Sequence, residues 1–128
     1  MIVNMTGGLR LPRIFGYTPA GKAKLLRCMD FVEQEVNKAI KSGVKTFSVQ
    51  TLFGGDNYNW CALGYPIGVL WIELRDKYED EGYSDPDYQA VHQAGIYVGY
   101  IMKYVCHRMT SAKFKMERTF TNIKYTVI

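Results

Sequence analysis

SDPDYQAVHQAGIYVGYIMKYVCHR, residues 84–108, is the stretch that decides the fold class of this chain. It opens with Ser84-Asp85-Pro86-Asp87, which is typical of a helix start because serine can cap the first amides and proline is tolerated in the first turn. Apolar residues then recur every three or four positions, as on one face of a helix. We therefore predict a helix over 85–108 whose inner face comprises Val91, Ala94, Gly95, Val98, Ile101, Met102 and Val105.

The tail after this helix, KFKMERTFTNIKYTVI (113–128), alternates with a period of two. That period is typical of strands, in which successive side chains point to opposite faces. The tail predicts a C-terminal β-hairpin that turns at Thr121-Asn122, and one long strand paired with the N-terminal arm is the alternative. One side of the first strand would hold Phe114, Met116, Arg118 and Phe120, and one side of the second would hold Ile123, Tyr125 and Val127.

Three more helices are predicted upstream. The first starts at Thr18-Pro19, a typical N-cap and first-turn pair, and stops at Gly43. Residues 1–17 predict a short hairpin or an extended arm, with Gly7-Gly8 as a turn signal. The fold class is therefore α+β, predominantly helical, with about four helices, over 19–42, 48–53, 66–80 and 85–108.

Size and composition predict one compact domain over 1–128 in the cytoplasm. A hydrophobic fraction of 48% is enough for a core. The sequence contains neither a run of about 18 apolar residues nor the pattern of a signal peptide. The three cysteines, Cys28, Cys61 and Cys106, are odd in number and far apart, which predicts buried free thiols rather than disulfides.

Charge is distributed unevenly along the chain. Lysines and arginines minus acids give +5 for residues 1–45 (8 against 3), −6 for 46–87 (2 against 8) and +5 for 88–128 (6 against 1). Such an order can fold into one basic and one acidic face, or it can be ordinary solvated charge.

No group of residues in the sequence predicts catalysis. GYTPAGKA (16–23) resembles a phosphate-binding loop but has Ala23 where that loop needs a hydroxyl to hold magnesium. His92 and His107 are fifteen residues apart on one predicted helix, about 22 Å along its axis, so they cannot share a metal. We expect no enzyme activity, no cofactor and no metal site.

The outer side of the last helix and the hairpin form the candidate binding surface. A tyrosine-rich, polar helix followed by a basic hairpin has the order of a winged helix, although the acidic start of the helix would repel phosphates. Gly95 and Gly99 predict a notch against which another helix packs closely. The candidate residues are Gln93, Tyr97, Tyr100, Lys103, Tyr104, His107, Arg108, Lys113, Lys115 and Arg118.

Three functions remain open at this stage. The first is a non-enzymatic regulator or inhibitor that contacts a protein partner or forms a homodimer, with Glu79, Asp80 and Glu81 as an acidic patch. The second is a winged-helix-like nucleic-acid-binding protein that uses Lys103, Arg108, Lys113, Lys115 and Arg118. The third is a small-ligand sensor with a pocket formed by the 54–60 loop, including Tyr58 and Trp60, and by Trp71.

The segment LFGGDNYNW (52–60), followed by a helix and by A-G-x-x-V-G (94–99), resembles small accessory proteins of mobile elements. This resemblance implies a role as an accessory or inhibitor protein, which agrees with the first hypothesis.

Overall fold

The computed structural model describes residues 15–16, 18–54, 66–119 and 122–128. The described parts form a mostly helical α+β fold with four helices and a C-terminal hairpin within a three-stranded antiparallel sheet, which confirms the predicted fold class. The extended arm predicted over 1–17 lies almost entirely outside the described residues. In chain order the elements are α1 (Pro19–Lys41), β1 (Thr46–Phe47), a short π-helix (Gln50–Gly54), α2 (Ile67–Asp80), α3 (Pro86–Arg108), β2 (Phe114–Arg118) and β3 (Ile123–Val127).

Helix α1 begins and ends as its sequence predicts. The Thr18 hydroxyl accepts a hydrogen bond from the Gly21 amide at 3.1 Å, with Pro19 in the first turn. The helix stops before Gly43, whose φ of 89° favours glycine. Gly21 has a second role, because a Cβ there would lie 2.2 Å from the carbonyl oxygen of Phe15. The preceding chain therefore packs directly on the first turn of α1.

The N-cap of α3 differs from the prediction. The Asp85 carboxylate, rather than the Ser84 hydroxyl, accepts a hydrogen bond from the Tyr88 amide, at 3.1 Å. Because Pro86 takes the first helical position, the residue directly before it is the one that can reach the free amides. Upstream, Gly82 has a φ of 81° and ends α2, as expected.

The buried side of α3 closely follows the predicted face. Its buried residues are Ala90, Ala94, Val98, Ile101, Met102, Val105 and Cys106. Val91 and Gly95 were predicted to lie inside as well, but both are only half-buried. Side chains from every described element join α3 in one hydrophobic core.

The sheet has the order β1-β3-β2, with β3 in the centre. β2 and β3 form a hairpin, not the single long strand of the alternative prediction; its turn is closed by a hydrogen bond of 2.7 Å from the Thr119 amide to the Asn122 carbonyl. β1 is a two-residue strand that the sequence did not predict. It pairs Phe47 with Tyr125, and both side chains are buried.

Two of the three cysteines can be placed, and both are free and buried, as predicted. Burial, together with the Glu73 carboxylate, raises the pKa of the Cys28 thiol to about 12. Burial alone raises the pKa of Cys106 to about 12. Cys61 lies outside the described residues. Among the helices that the structure describes, none is both long enough and apolar enough to cross a membrane.

Candidate binding groove

A groove of about 520 Å³ lies between α3 and the β2–β3 hairpin, and we call it the α3–hairpin groove. The helix forms one wall, from Tyr88 to Lys103, and the start of β3 together with the end of β2 forms the other. This position follows from the fold, because α3 leads directly into the hairpin and packs its opposite side on α1 and α2.

Two glycines form part of the helix wall. Gly95 and Gly99 both line the groove, and a Cβ built on Gly99 would meet no described atom within 4 Å. The notch predicted from this pair therefore exists at Gly99, but no described helix packs into it. The α3 backbone is accessible from the groove at this point.

Apolar side chains are exposed along the same wall. The exposed fractions are 64% for Tyr88, 40% for Ile96 and 47% for Tyr100. His92 stacks on Tyr88 with ring centroids 6.4 Å apart and planes at 10°. These four residues are spaced by four, so they form one row along the helix. Exposed apolar side chains that lie together mark binding surfaces more often than the same residues scattered singly.

Two cations line the groove without a described carboxylate partner. Lys103 lies on α3, and Arg118 lies at the end of β2 on the same face of the strand as buried Phe114. Neither appears in an ion pair among the residues that the structure places. Arg118 is close enough to Tyr125 to lower the pKa of its phenol, although burial raises that pKa by more. The groove therefore carries positive charge beside an apolar row.

Of the ten candidate residues, the groove brings together Tyr100, Lys103 and Arg118. Tyr97 instead packs against the core. Burial raises the pKa of Tyr78 on α2, and the nearby Tyr97 raises it further. Gln93 and His107 are half-buried on α3 and are not among the residues lining the groove.

The remaining candidates lie apart from the groove. The Arg108 guanidinium donates a hydrogen bond of 2.7 Å to the Tyr104 hydroxyl and covers that ring, with 5.1 Å from its central carbon to the ring centroid. Lys115 forms an ion pair with Glu117 at 3.4 Å on the outer face of β2. Lys113 is exposed just before that strand. The predicted basic residues are thus distributed over several sides of the molecule.

The acidic patch is part of a longer acidic segment, residues 79–87, which we call the acidic turn. It connects α2 to α3 and contains no lysine or arginine. Its acids are exposed, and none pairs with a described base. Three of them lie at the C-terminal end of α2, where the helix dipole disfavours negative charge. The acids are Glu79, Asp80, Glu81, Asp85 and Asp87.

Two other kinds of site, a metal site and an aromatic ligand pocket, can be compared with the described residues. No three metal-binding side chains of the described residues come together. The aromatic pocket expected beside the 54–60 loop falls largely on residues that the structure does not describe, including Tyr58 and Trp60. Trp71 packs against the core, and the Arg75 guanidinium lies over its ring at 5.3 Å.

Comparisons of the chain with protein-family models, curated proteins and solved structures found no match. The resemblance to accessory proteins of mobile elements therefore stays an expectation. What supports a function is the geometry of the α3–hairpin groove.

Proposed function

We propose that the protein is a non-enzymatic binding protein that regulates a protein partner by contact in the α3–hairpin groove. The observation that carries this proposal is the combination of an exposed apolar row with two cations that have no described carboxylate partner. Apolar and aromatic anchors supply most of the affinity of protein interfaces, and complementary charge adds orientation and specificity. The expected partner segment is therefore apolar and acidic.

Two further points agree with this role. Accessory and inhibitor proteins of mobile elements, which the sequence resembles, can act through binding alone. The free thiols of Cys28 and Cys106 are consistent with a reducing cytoplasm.

Nucleic-acid binding is the second candidate. The observation in its favour is that α3 is followed by the β2–β3 hairpin, and that β3 also pairs with β1. In that role Lys103 and Arg118 would contact phosphates. We rank it second because Lys113, Lys115 and Arg108 do not line the groove and because the acidic turn precedes α3.

A binding assay with matched variants tests the proposal. The probe is a fluorescein-labelled peptide of alternating Glu, Tyr and Leu, and the same peptide with Lys for Glu is the negative probe. We expect the acidic peptide to bind, and Lys103→Glu/Arg118→Glu to weaken it about tenfold or more, since each reversed contact costs on the order of 1 kcal/mol. The control, Lys113→Glu/Lys115→Glu, makes the same change of charge outside the groove and should bind normally.

Two results would contradict this function. One is equal binding of both peptides or equal loss in both variants. The other is tight binding of duplex DNA that falls steeply with salt and depends on Lys103 and Arg118, which would establish the second candidate instead.

A further inference from the structure

Helix α3 carries opposite charges at its two ends. Asp85 caps the N-terminus of α3 at the end of the acidic turn, and Lys103 near the other end lines the groove together with Arg118. The eighteen residue steps from Asp85 to Lys103 span about 27 Å along the helix axis and about five full turns, so both residues lie on the same face of α3. Within one molecule these opposite charges are therefore too far apart to pair.

An antiparallel copy of α3 brings these ends together. If two α3 helices pack antiparallel about a two-fold axis level with Ala94 and Gly95, residue 85 of each copy lies opposite residue 103 of the other. The acidic turn of each copy then meets Lys103 and Arg118 of the second copy, and both contacts form at once. A two-fold axis requires this self-complementarity, and the uneven charge along α3 provides it.

The surface at the centre of this arrangement is suited to close packing. Gly95 and Gly99 remove side chains from the groove wall where the two helices would cross, and Gly99 has open space before it. The exposed side chains of Tyr88, Ile96 and Tyr100 lie on either side of the crossing. Packing against a second copy would bury this apolar row.

We propose that the occupant of the α3–hairpin groove is a second copy of this chain, packed with α3 antiparallel to α3 and with the acidic turn of each copy against Lys103 and Arg118 of the other. This proposal rests on the function proposed above, because it names the partner of the same groove. In this arrangement the second copy also supplies a counter-charge to the acids at the C-terminal end of α2, which have no basic partner among the described residues.

Measurement of molecular mass in solution tests this arrangement through a charge exchange. The groove-reversed variant is Lys103→Glu/Arg118→Glu, and the turn-reversed variant is Glu81→Lys/Asp85→Lys. Each alone places like charges at both contacts and is expected to be monomeric at concentrations where the unmodified protein is a dimer. An equimolar mixture restores opposite charges at both contacts, so it is expected to form a heterodimer.

Two more variants complete the test. Lys113→Glu/Lys115→Glu changes the charge equally outside the groove and should stay dimeric. Gly99→Leu fills the open space without a change of charge and should be monomeric with an unaltered circular dichroism spectrum. Recovery of the dimer on mixing also shows that both charge-reversed chains are folded.

Several outcomes would overturn the inference. The first is an unmodified protein that stays monomeric up to about 100 µM, a concentration at which even weak association would be detected. The second is a dimer that tolerates Gly99→Leu, and the third is a mixture of the two charge-reversed variants that does not form heterodimers. A monomer whose groove still binds the acidic peptide would leave the proposed function intact while rejecting the second copy as partner. A monomer that binds duplex DNA through the groove, but no acidic peptide, would reject both.

Discussion

Phe47 and Tyr125 stack across the sheet with ring centroids 5.4 Å apart and planes inclined by 11°. The two residues are paired in register between β1 and β3, and Phe114 of β2 meets the Phe47 ring edge-on at 5.8 Å. One aromatic cluster therefore joins all three strands, and it is the cluster that attaches β1 to the hairpin. Since the hairpin forms one wall of the groove, this contact also helps to position Arg118.

Phe47→Ala is expected to lower the free energy of unfolding by about 3–5 kcal/mol, because it removes a buried ring and leaves a cavity among aromatic neighbours. Urea denaturation followed by circular dichroism measures the change. Thr46→Ala is the control, since Thr46 lies in the same strand with an exposed side chain. Equal losses in the two variants would show that pairing of the strand backbone, rather than the ring cluster, holds β1.

Asp85→Ala is expected to destabilise the protein by about 1 kcal/mol, since it removes the side chain that accepts a hydrogen bond from the Tyr88 amide. Ser84→Ala should change stability by a few tenths of a kcal/mol, because Ser84 does not cap α3. Thermal unfolding of the two variants distinguishes them. A larger loss of stability for Ser84→Ala would indicate that Ser84, the residue predicted from the sequence, caps α3.

Gly21→Ala and Gly99→Ala are expected to change stability in opposite directions. A Cβ at position 21 meets the Phe15 carbonyl, so this substitution forces backbone to move and should cost on the order of 1–3 kcal/mol. At position 99 the space is open, so the monomer should gain up to about 1 kcal/mol from the higher helix propensity of alanine. Denaturation at a concentration where the protein is monomeric measures both. A loss at position 99 would indicate a neighbour that closes the groove there.

Stability should fall at alkaline pH. Folding raises the pKa of both Cys28 and Cys106 from 9.0 to about 12, so between these values the unfolded chain binds fewer protons than the folded one. The contribution of the protonated thiols to the free energy of unfolding is fully present below pH 9. It is lost toward pH 12, by about 1.4 kcal/mol per pH unit for each thiol. Burial of Tyr125 acts in the same direction at higher pH.

Urea denaturation at pH 8 and pH 10.5 measures this slope. The variant Cys28→Ala/Cys106→Ala should have a shallower pH dependence than the unmodified protein, whatever its stability at pH 8. Identical slopes in the two proteins would mean that the thiols ionise as easily when folded as when unfolded.

The helices and the hairpin could be predicted because their signals are local. Thr18-Pro19 and Gly43 mark the two ends of α1, and α3 repeats its apolar residues with helical spacing. β1 could not be predicted in this way. A two-residue strand is too short to have a detectable period. It forms because Phe47 pairs with Tyr125, which is far away in the sequence.

The groove could be predicted only in part. Tyr88, His92 and Ile96 were not predicted, although their spacing by four is visible in the sequence. The predicted surface followed Gln93, Tyr97 and Tyr104, which lie on a different face of α3. The placement of Arg118 apart from Lys115 follows from the alternation of strand residues. That Arg118 faces the groove depends on how the hairpin packs against α3, and the sequence alone does not give this packing.

The central position of β3 has a consequence for the order in which the molecule assembles. Both sheet partners of β3 precede it, and β1 is separated from it by the whole of α2, α3 and β2. The sheet therefore cannot close until residues 123–127 have been synthesised, and closing so long a segment is entropically costly and slows folding. Until then Phe47 and Phe114 lack the ring that covers them, so the nascent chain is most vulnerable to aggregation just before the final strand joins the sheet.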